Sequence, residues 1–450
     1  MDLDESVAML PDARILPALV NGVTPRHPPI VDTLLAGPTR HPYSWIRPQL
    51  LRSLGKLRRK QWPSLSFMNS DATRSIVTVQ WTPLTIHHSK IVKEPVDYRL
   101  FSELVIKPNR FTSSSFDKSG VPESVTDVIR ASFLKGSETL KPKLVDYFQS
   151  WLREACDLVI GYMEAMLNSR NRLPSHVWTG SGGGNWTRLI RHACLIAGGK
   201  VTGHDHSTGA GHLIFGEKNL LDFESCDVFV TMNKAQAAGL KRNIRSDLLV
   251  PDSPPEIVSL PSHEESKQVG LKRDRSITRK IKRVMYHSSF YNGEMVRYVV
   301  QMPDLVQLDW EARLFSHLAE WGYSVIHKPH PASVGLPSHD FYKENGSKLF
   351  TDPFEEVEPL ADMFIFTSPM STPVIQILKE QKPAVFVDLG IVDWQPEAYN
   401  LLKKRCSVVD GWFDSRNRAQ VNWDALHSAI KAAPNYQNSE FFETYLKIGN

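Results

Sequence analysis

Three short stretches in the C-terminal half of the sequence carry residue types that hold a phosphorylated ligand. His287-Ser288-Ser289 follows Val284-Met285-Tyr286. His327-Lys328-Pro329-His330-Pro331 follows Tyr323-Ser324-Val325-Ile326, and Thr367-Ser368-Pro369-Met370-Ser371-Thr372 follows Met363-Phe364-Ile365-Phe366. The hydroxyls of Ser288, Ser289, Ser368, Ser371 and Thr372, with the N–H groups that open a helix, make an anion site. Lys328 brings a point charge and His330 a hydrogen-bond donor, while Pro329 and Pro331 fix φ and stiffen the loop that presents them. A plainer reading stands beside this one: Ser371 caps its helix, and small residues close turns. Repetition of the pattern after three apolar runs favours the ligand-binding reading.

A second cluster is Gly203-His204-Asp205-His206, followed by His212. A histidine or a carboxylate here can take a proton from an attacking hydroxyl, and the choice among His204, Asp205 and His206 stays open. The same spacing invites a metal, but no cysteine or carboxylate set completes a ligand shell, so no metal is expected. Gly180 to Gly184 form a glycine-rich loop before a helix, with Asn185 as its N-cap. Neither Gly-Lys-Ser/Thr nor a dinucleotide Gly-x-Gly-x-x-Gly follows, so Gly182, Gly183 and Asn185 are read as a loop that lets an acceptor or a sugar approach the backbone.

Those residues need elements to hold them. Strands are expected over 75–81, 176–179, 200–203, 226–231, 284–286, 323–327, 363–366 and 384–387. Helices are expected over 144–168, 186–196, 234–242, 309–321 and 371–380. Strands alternating with helices give α/β domains with parallel sheets, in which ligands sit beyond the carboxyl ends of the strands. Pro251 to Lys282 are rich in Pro, Ser and charge without an apolar period, and read as a linker. The resulting division is an irregular N-terminal extension over 1–75, an acceptor domain over 76–260, a linker over 261–283, a nucleotide-donor domain over 284–425 and a helical tail over 426–450.

Composition bounds the rest. At 450 residues, 41% hydrophobic and 23% charged, the chain has ample core for two or three globular domains. A net charge of +4 suits a phosphorylated ligand or an anionic membrane face without demanding nucleic acid. Cys156, Cys194, Cys226 and Cys406 are too dispersed for a disulfide framework or zinc site, which points to a reducing compartment. Met1 to Glu5 lack a basic secretory n-region, and no run of about 18 apolar residues spans a bilayer. A cytoplasmic protein is expected. Between Arg47 and Lys60, leucines share one helical face among six basic residues, either as a solvated helix on its own domain or as a peripheral contact with the inner membrane.

Lys328-Pro329-His330-Pro331, Ser368-Pro369-Met370-Ser371-Thr372 and Gln381 to Asp388 resemble the C-terminal domain of capsule and lipopolysaccharide glycosyltransferases of GT-B fold. These include transferases that use CMP-Kdo and, more distantly, CDP-glycerol polymerases of teichoic acid synthesis. The resemblance covers roughly 175–400. It implies two Rossmann-like domains facing a crevice, and a metal-independent transferase without cofactor that moves a sugar from a nucleotide-activated, CMP-linked donor to a glycan or glycolipid acceptor. It also implies that His330 and Pro331 lie near the nucleotide, with Ser288, Ser368 and Ser371 near its phosphate. The family often carries a Gln-His-Gly loop where this chain has Gly203 to His206, and Pro373 to Leu378 depart from its usual helix, which leaves ribose recognition open. Two alternatives remain: a nucleotide-sugar 2-epimerase, and a non-catalytic glycan-assembly subunit.

Overall fold

Near-continuous apolar runs such as Met363–Phe366 mark strands covered on both faces, which is what a parallel sheet between helices requires. The computed structural model describes residues 76–449 apart from 93, 109–139, 183, 207–210, 215–221, 224, 245–253, 262–280, 290, 292–301, 332, 334–335 and 370. The basic stretch from Arg47 to Lys60 lies outside the described residues.

The N-terminal sheet is built from β1 (Ile76–Thr78), β2 (Val96–Tyr98), β3 (His176–Thr179), β4 (Lys200–His204), β6 (Val228–Thr231) and β7 (Glu256–Ser259). All are parallel, in the order β2-β1-β3-β4-β6-β7. Its helices are α1 (Pro83–Ile91), α2 (Phe101–Leu104), α3 (Leu140–Leu167), α4 (Asn185–Ile196) and α5 (Lys234–Asn243). Leu158, Tyr162 and Met166 of α3 and Leu189, Ile190 and Ala193 of α4 bury one face of the sheet against Val77, Val177 and Val201. Strand β7 lies inside the stretch read as a linker from Pro251. Its register with β6 gives a short edge strand the partner that its sequence does not advertise.

The C-terminal sheet runs β10-β9-β8-β11-β12-β14-β15, with only β15 antiparallel. Its strands are β8 (Arg283–His287), β9 (Ser324–Lys328), β10 (Ser347–Leu349), β11 (Met363–Phe366), β12 (Ala384–Asp388), β14 (Ser407–Phe413) and β15 (Ala419–Val421). The helices are α6 (Asp304–Glu320), α7 (His339–Glu344), α8 (Phe354–Val357), α9 (Thr372–Lys379), α10 (Pro396–Arg405) and α11 (Trp423–Ala432). Val284, Val325, Ile365 and Val385 pack beneath Trp310, Leu314 and Leu318 of α6 and Leu426 and Ile430 of α11. Met285, Ile326, Phe364 and Phe386 line the opposite face against α9, α10 and the tail residues Phe441 to Leu446. Arg405, fully buried and without a carboxylate partner among the described residues, donates to the carbonyls of Ile377, Leu378, Lys382 and Tyr436 and so closes the C-terminus of α9.

Two structures join the halves. Loops leaving β4 and β12 meet as β5 (Leu213–Ile214) and β13 (Asp393–Trp394), paired antiparallel, and the Gln395 N–H donates to the His212 carbonyl at 3.0 Å. His212 is buried among Trp394, Phe441 and Tyr445. Gly211 (φ +84°) lies so close to Gln236 and Gly239 of α5 that a Cβ at 211 or 239 would collide with backbone. The tail then returns to the N-terminal sheet: Asn233 Nδ2 donates to Lys447 O at 3.0 Å and Gln236 Nε2 to Tyr445 O at 2.8 Å. Because the bridge is made by loops leaving the carboxyl ends of β4 and β12, those ends face one another. This is the GT-B arrangement of two Rossmann-like sheets across a crevice.

Candidate active site

In each sheet one pair of neighbouring strands sends its connections in opposite directions, and ligands settle beyond that point. In the C-terminal sheet the pair is β8 and β11, whose ends Phe366 and His287 are in register. It lies one strand from β12, the strand whose loop bridges the halves. In the N-terminal sheet the pair is β1 and β3, one strand from β4. Each switch point thus lies one strand from a strand whose loop enters the bridge.

On the C-terminal side the structure gathers the residues singled out above. Lys328 O ties two loops together, accepting from His287 Nδ1 at 3.1 Å and from the Ser288 N–H at 3.3 Å. Ser288 is buried and Ser289 half-buried. Ser371 Oγ accepts from the Val374 N–H at 3.3 Å, so this hydroxyl does cap α9, with Pro373 in the first turn where its missing N–H costs nothing. Thr372 is exposed and Ser368 half-buried. The Lys328 ammonium is buried and donates to Pro329 O at 3.0 Å. Desolvation pulls its pKa down, against the attraction of Asp352 and Glu355. His330 is half-buried and Pro331 exposed, and burial with the neighbouring Lys328 charge lowers His330 to about 4. His330 is therefore neutral at pH 7, able to donate through one nitrogen and to gain a proton beside an anion.

Beneath this loop lies a buried polar network. Ser288 Oγ is 3.0 Å from His327 Nε2, and Glu311 receives Tyr291 OH at 2.7 Å and Gln307 Nε2 at 3.0 Å. Glu311 and His327 approach to 3.6 Å, yet desolvation raises Glu311 to about 8 and lowers His327 to about 3, so the pair is neutral rather than ionic at pH 7. Serine, histidine and glutamate in contact suggest a nucleophile relay, but Ser288 and Glu311 both approach Nε2 of the ring. A relay needs them on opposite nitrogens. The network positions the β8 loop.

On the N-terminal side the glycine-rich loop is pinned rather than open. Gln80 Oε1 accepts from the N–H groups of Gly180 at 2.9 Å and Ser181 at 2.8 Å, and Asp222 Oδ1 accepts from Gly182 at 2.6 Å. Buried Arg191 holds Thr179 Oγ1 at 2.9 Å and Asp222 O at 2.7 Å, tying Asp222 to the end of β3. These N–H groups are spent on protein acceptors and do not cradle a phosphate. Gly183 lies outside the described residues. Asn185 is the first helical residue rather than the N-cap: Gly184 takes that place without a side-chain bond, because the pinned loop already sets the entry of the chain.

His204 is fully buried with both nitrogens engaged, Nδ1 donating to Thr179 O at 3.1 Å and Nε2 facing His88 Nδ1 at 2.9 Å. Burial holds its pKa well below 6.5. With both ring nitrogens bonded within the protein it has no lone pair left for a substrate proton, whereas Asp205 is buried at the strand end and His206 exposed. His88, Gln80 and Asp222 are the site residues that sequence reasoning missed. The adjacent pair His87-His88 in the helix after the first strand was the available signal.

No protein-family model and no curated protein matches the chain. Among solved structures, it is similar to a UDP-N-acetylglucosamine 2-epimerase from Rickettsia bellii at 16% identity, covering 64% of this chain and 71% of that one with a TM-score of 0.35. Os79 from O. sativa in complex with UDP is 10% identical, with 82% and 93% covered and a TM-score of 0.41. The wall teichoic acid polymerase TagF is 10% identical, with 90% and 94% covered and a TM-score of 0.36. All three TM-scores fall below 0.5, and the fold assignment rests on the order and opposition of the two sheets.

Proposed function

We propose that the protein is a glycosyltransferase that moves a sugar from a nucleotide-activated donor, CMP-linked, to the hydroxyl of a surface-glycan or glycolipid acceptor. The observation that supports this reading is the register of β8 with β11 at the switch point, which puts the Ser288-Ser289 loop and the Ser368 to Thr372 loop at the ends of neighbouring strands, with the β9 loop that carries Lys328 and His330 tied to the first through the Lys328 carbonyl. The donor phosphate would sit against the start of α9 with His330 donating to it. The acceptor would enter from the N-terminal side, past Gly182 and the loop after β4. Positioning and charge neutralisation of the departing phosphate would do most of the work, with the crevice excluding water.

The test is turnover of CMP-Kdo and of UDP-N-acetylglucosamine, followed as release of nucleotide with and without a glycan acceptor. Acceptor-stimulated release of CMP supports the transferase. A UDP-sugar interconverted with no acceptor present would instead identify an epimerase, and absence of turnover together with absence of nucleotide binding would leave an assembly subunit.

A further inference from the structure

His88 belongs to no motif, yet it is bonded to His204, the last residue of β4, at the end of the sheet where the candidate site lies. It projects from α1 over the carboxyl ends of β3 and β4. Its ring lies flat on Trp178, with centroids 4.1 Å apart and 8° between planes. Trp178 is held in turn: its indole N–H donates to His176 Nε2 at 3.2 Å, an atom that also meets Thr202 Oγ1 at 2.8 Å. The platform under His88 is therefore rigid.

Hydrogen bonding fixes which nitrogen of His88 carries hydrogen. The Thr179 carbonyl can only accept, so His204 donates from Nδ1 and, being neutral in its buried site, presents a lone pair at Nε2. His88 Nδ1 lies 2.9 Å from that lone pair and must donate to it. The lone pair of His88 is thereby at Nε2, for which no hydrogen-bond partner occurs among the described residues, on a ring only half-buried. This is how a base is oriented by a second group behind it.

We propose that His88 Nε2 is the proton acceptor for the attacking hydroxyl and that His204 is the positioning residue that fixes its tautomer. This inference rests on the transferase reading above. The acceptor oxygen forms a bond to the anomeric carbon, and the bond from that carbon to the donor phosphate oxygen breaks with its electron pair leaving on the nucleotide. The hydroxyl proton passes to His88 Nε2. Imidazolium forms at His88, its Nδ1–H still donates to His204, and His204 keeps its own proton on the Thr179 carbonyl. Solvent later removes the proton from His88. The titratable groups facing His88 are His204 and His176 of the sheet and His87 of its own helix. The neutral ring is the form these neighbours favour.

The experiment pairs turnover with binding in the full chain. CMP release from CMP-Kdo, with water standing in for the acceptor, is measured for wild type, His88→Ala, His88→Gln, His204→Ala and His204→Gln, alongside calorimetric CMP binding. Both His88 variants should lose about 100-fold or more in kcat while CMP affinity stays within about twofold, and millimolar imidazole should restore part of the His88→Ala rate. His204→Ala should lower kcat without raising KM, and His204→Gln, whose carbonyl oxygen can replace the Nε2 lone pair, should recover part of the loss. Wild-type rates in the His88 variants with CMP binding retained would overturn the role of His88 and leave the donor site standing. Failure of wild type to bind nucleotide would overturn both. Nitrogen NMR of histidine-labelled protein decides independently of any donor: hydrogen on His88 Nδ1 is expected, and hydrogen on Nε2 contradicts the proposal.

Discussion

Burial rather than contact sets the charge of the residues beneath the Lys328–Pro331 loop. Glu311, raised to about 8, binds its proton more tightly folded than unfolded. Its contribution to stability is fully present below the unfolded value of 4.5 and is lost as pH rises through about 8. Glu311→Gln removes that dependence, so the Tm of the variant relative to wild type should rise between pH 5 and pH 8. A constant difference would mean that Glu311 is ionised throughout. His330 obeys the opposite sign. Free, it stays neutral down to about 4, and a nucleotide phosphate beside it would raise that value. Wild type should therefore take up more protons on binding CMP at pH 6 than His330→Ala does. Calorimetry in buffers of different ionisation enthalpy reads the difference, and equal uptake would move His330 away from the phosphate.

At the scale of elements, α9 links stability to the site. Its N-terminus is capped by Ser371 at the crevice and its C-terminus by Arg405 in the core. Arg405→Ala removes the guanidinium bonds to four carbonyls, of which Ile377 and Leu378 keep a backbone donor while Lys382 and Tyr436 lose theirs, and should cost on the order of 3 kcal/mol, measured by denaturant unfolding. A loss below about 1 kcal/mol would show that water replaces the guanidinium. The elements most legible in the sequence were those with continuous apolar runs: Met363–Phe366 is a strand as expected, and His176–Thr179 likewise. The edge strand β7 was hidden, since Glu256–Ser259 is only four residues long between prolines in a Pro-, Ser- and charge-rich stretch, and it exists through its pairing with β6. Asn185 resembled an N-cap by type, but the pinning of Gly180, Ser181 and Gly182 by Gln80 and Asp222 fixed the helix start, and those partners are distant in sequence.

Across the whole molecule, the β5–β13 pair and the returning tail tie together loops from the carboxyl ends of both sheets. That bridge was not legible, since two-residue strands carry no periodic signal. The sheets, by contrast, followed from alternating strand and helix patterns. The histidines of the assembly give it a common pH response. His88, His176, His287 and His330 are lowered to about 4, and His212 and His327 to about 3, mainly by burial. Each contributes stability above the ordinary value of 6.5 that is lost as pH falls through its folded value, and together they outweigh the opposing Glu311. Tm should drop steadily from pH 6.5 to pH 4. A flat profile there would mean that these rings are hydrated.

Calorimetric titration of CMP, CDP, UMP and UDP into wild type and His330→Ala reads the proposed donor site without an acceptor. Cytidine nucleotides should bind in preference to uridine nucleotides, with the variant weaker by more than about 1 kcal/mol, the scale of a hydrogen bond. Absence of binding by any of the four would contradict a nucleotide site at the β8/β11 switch point.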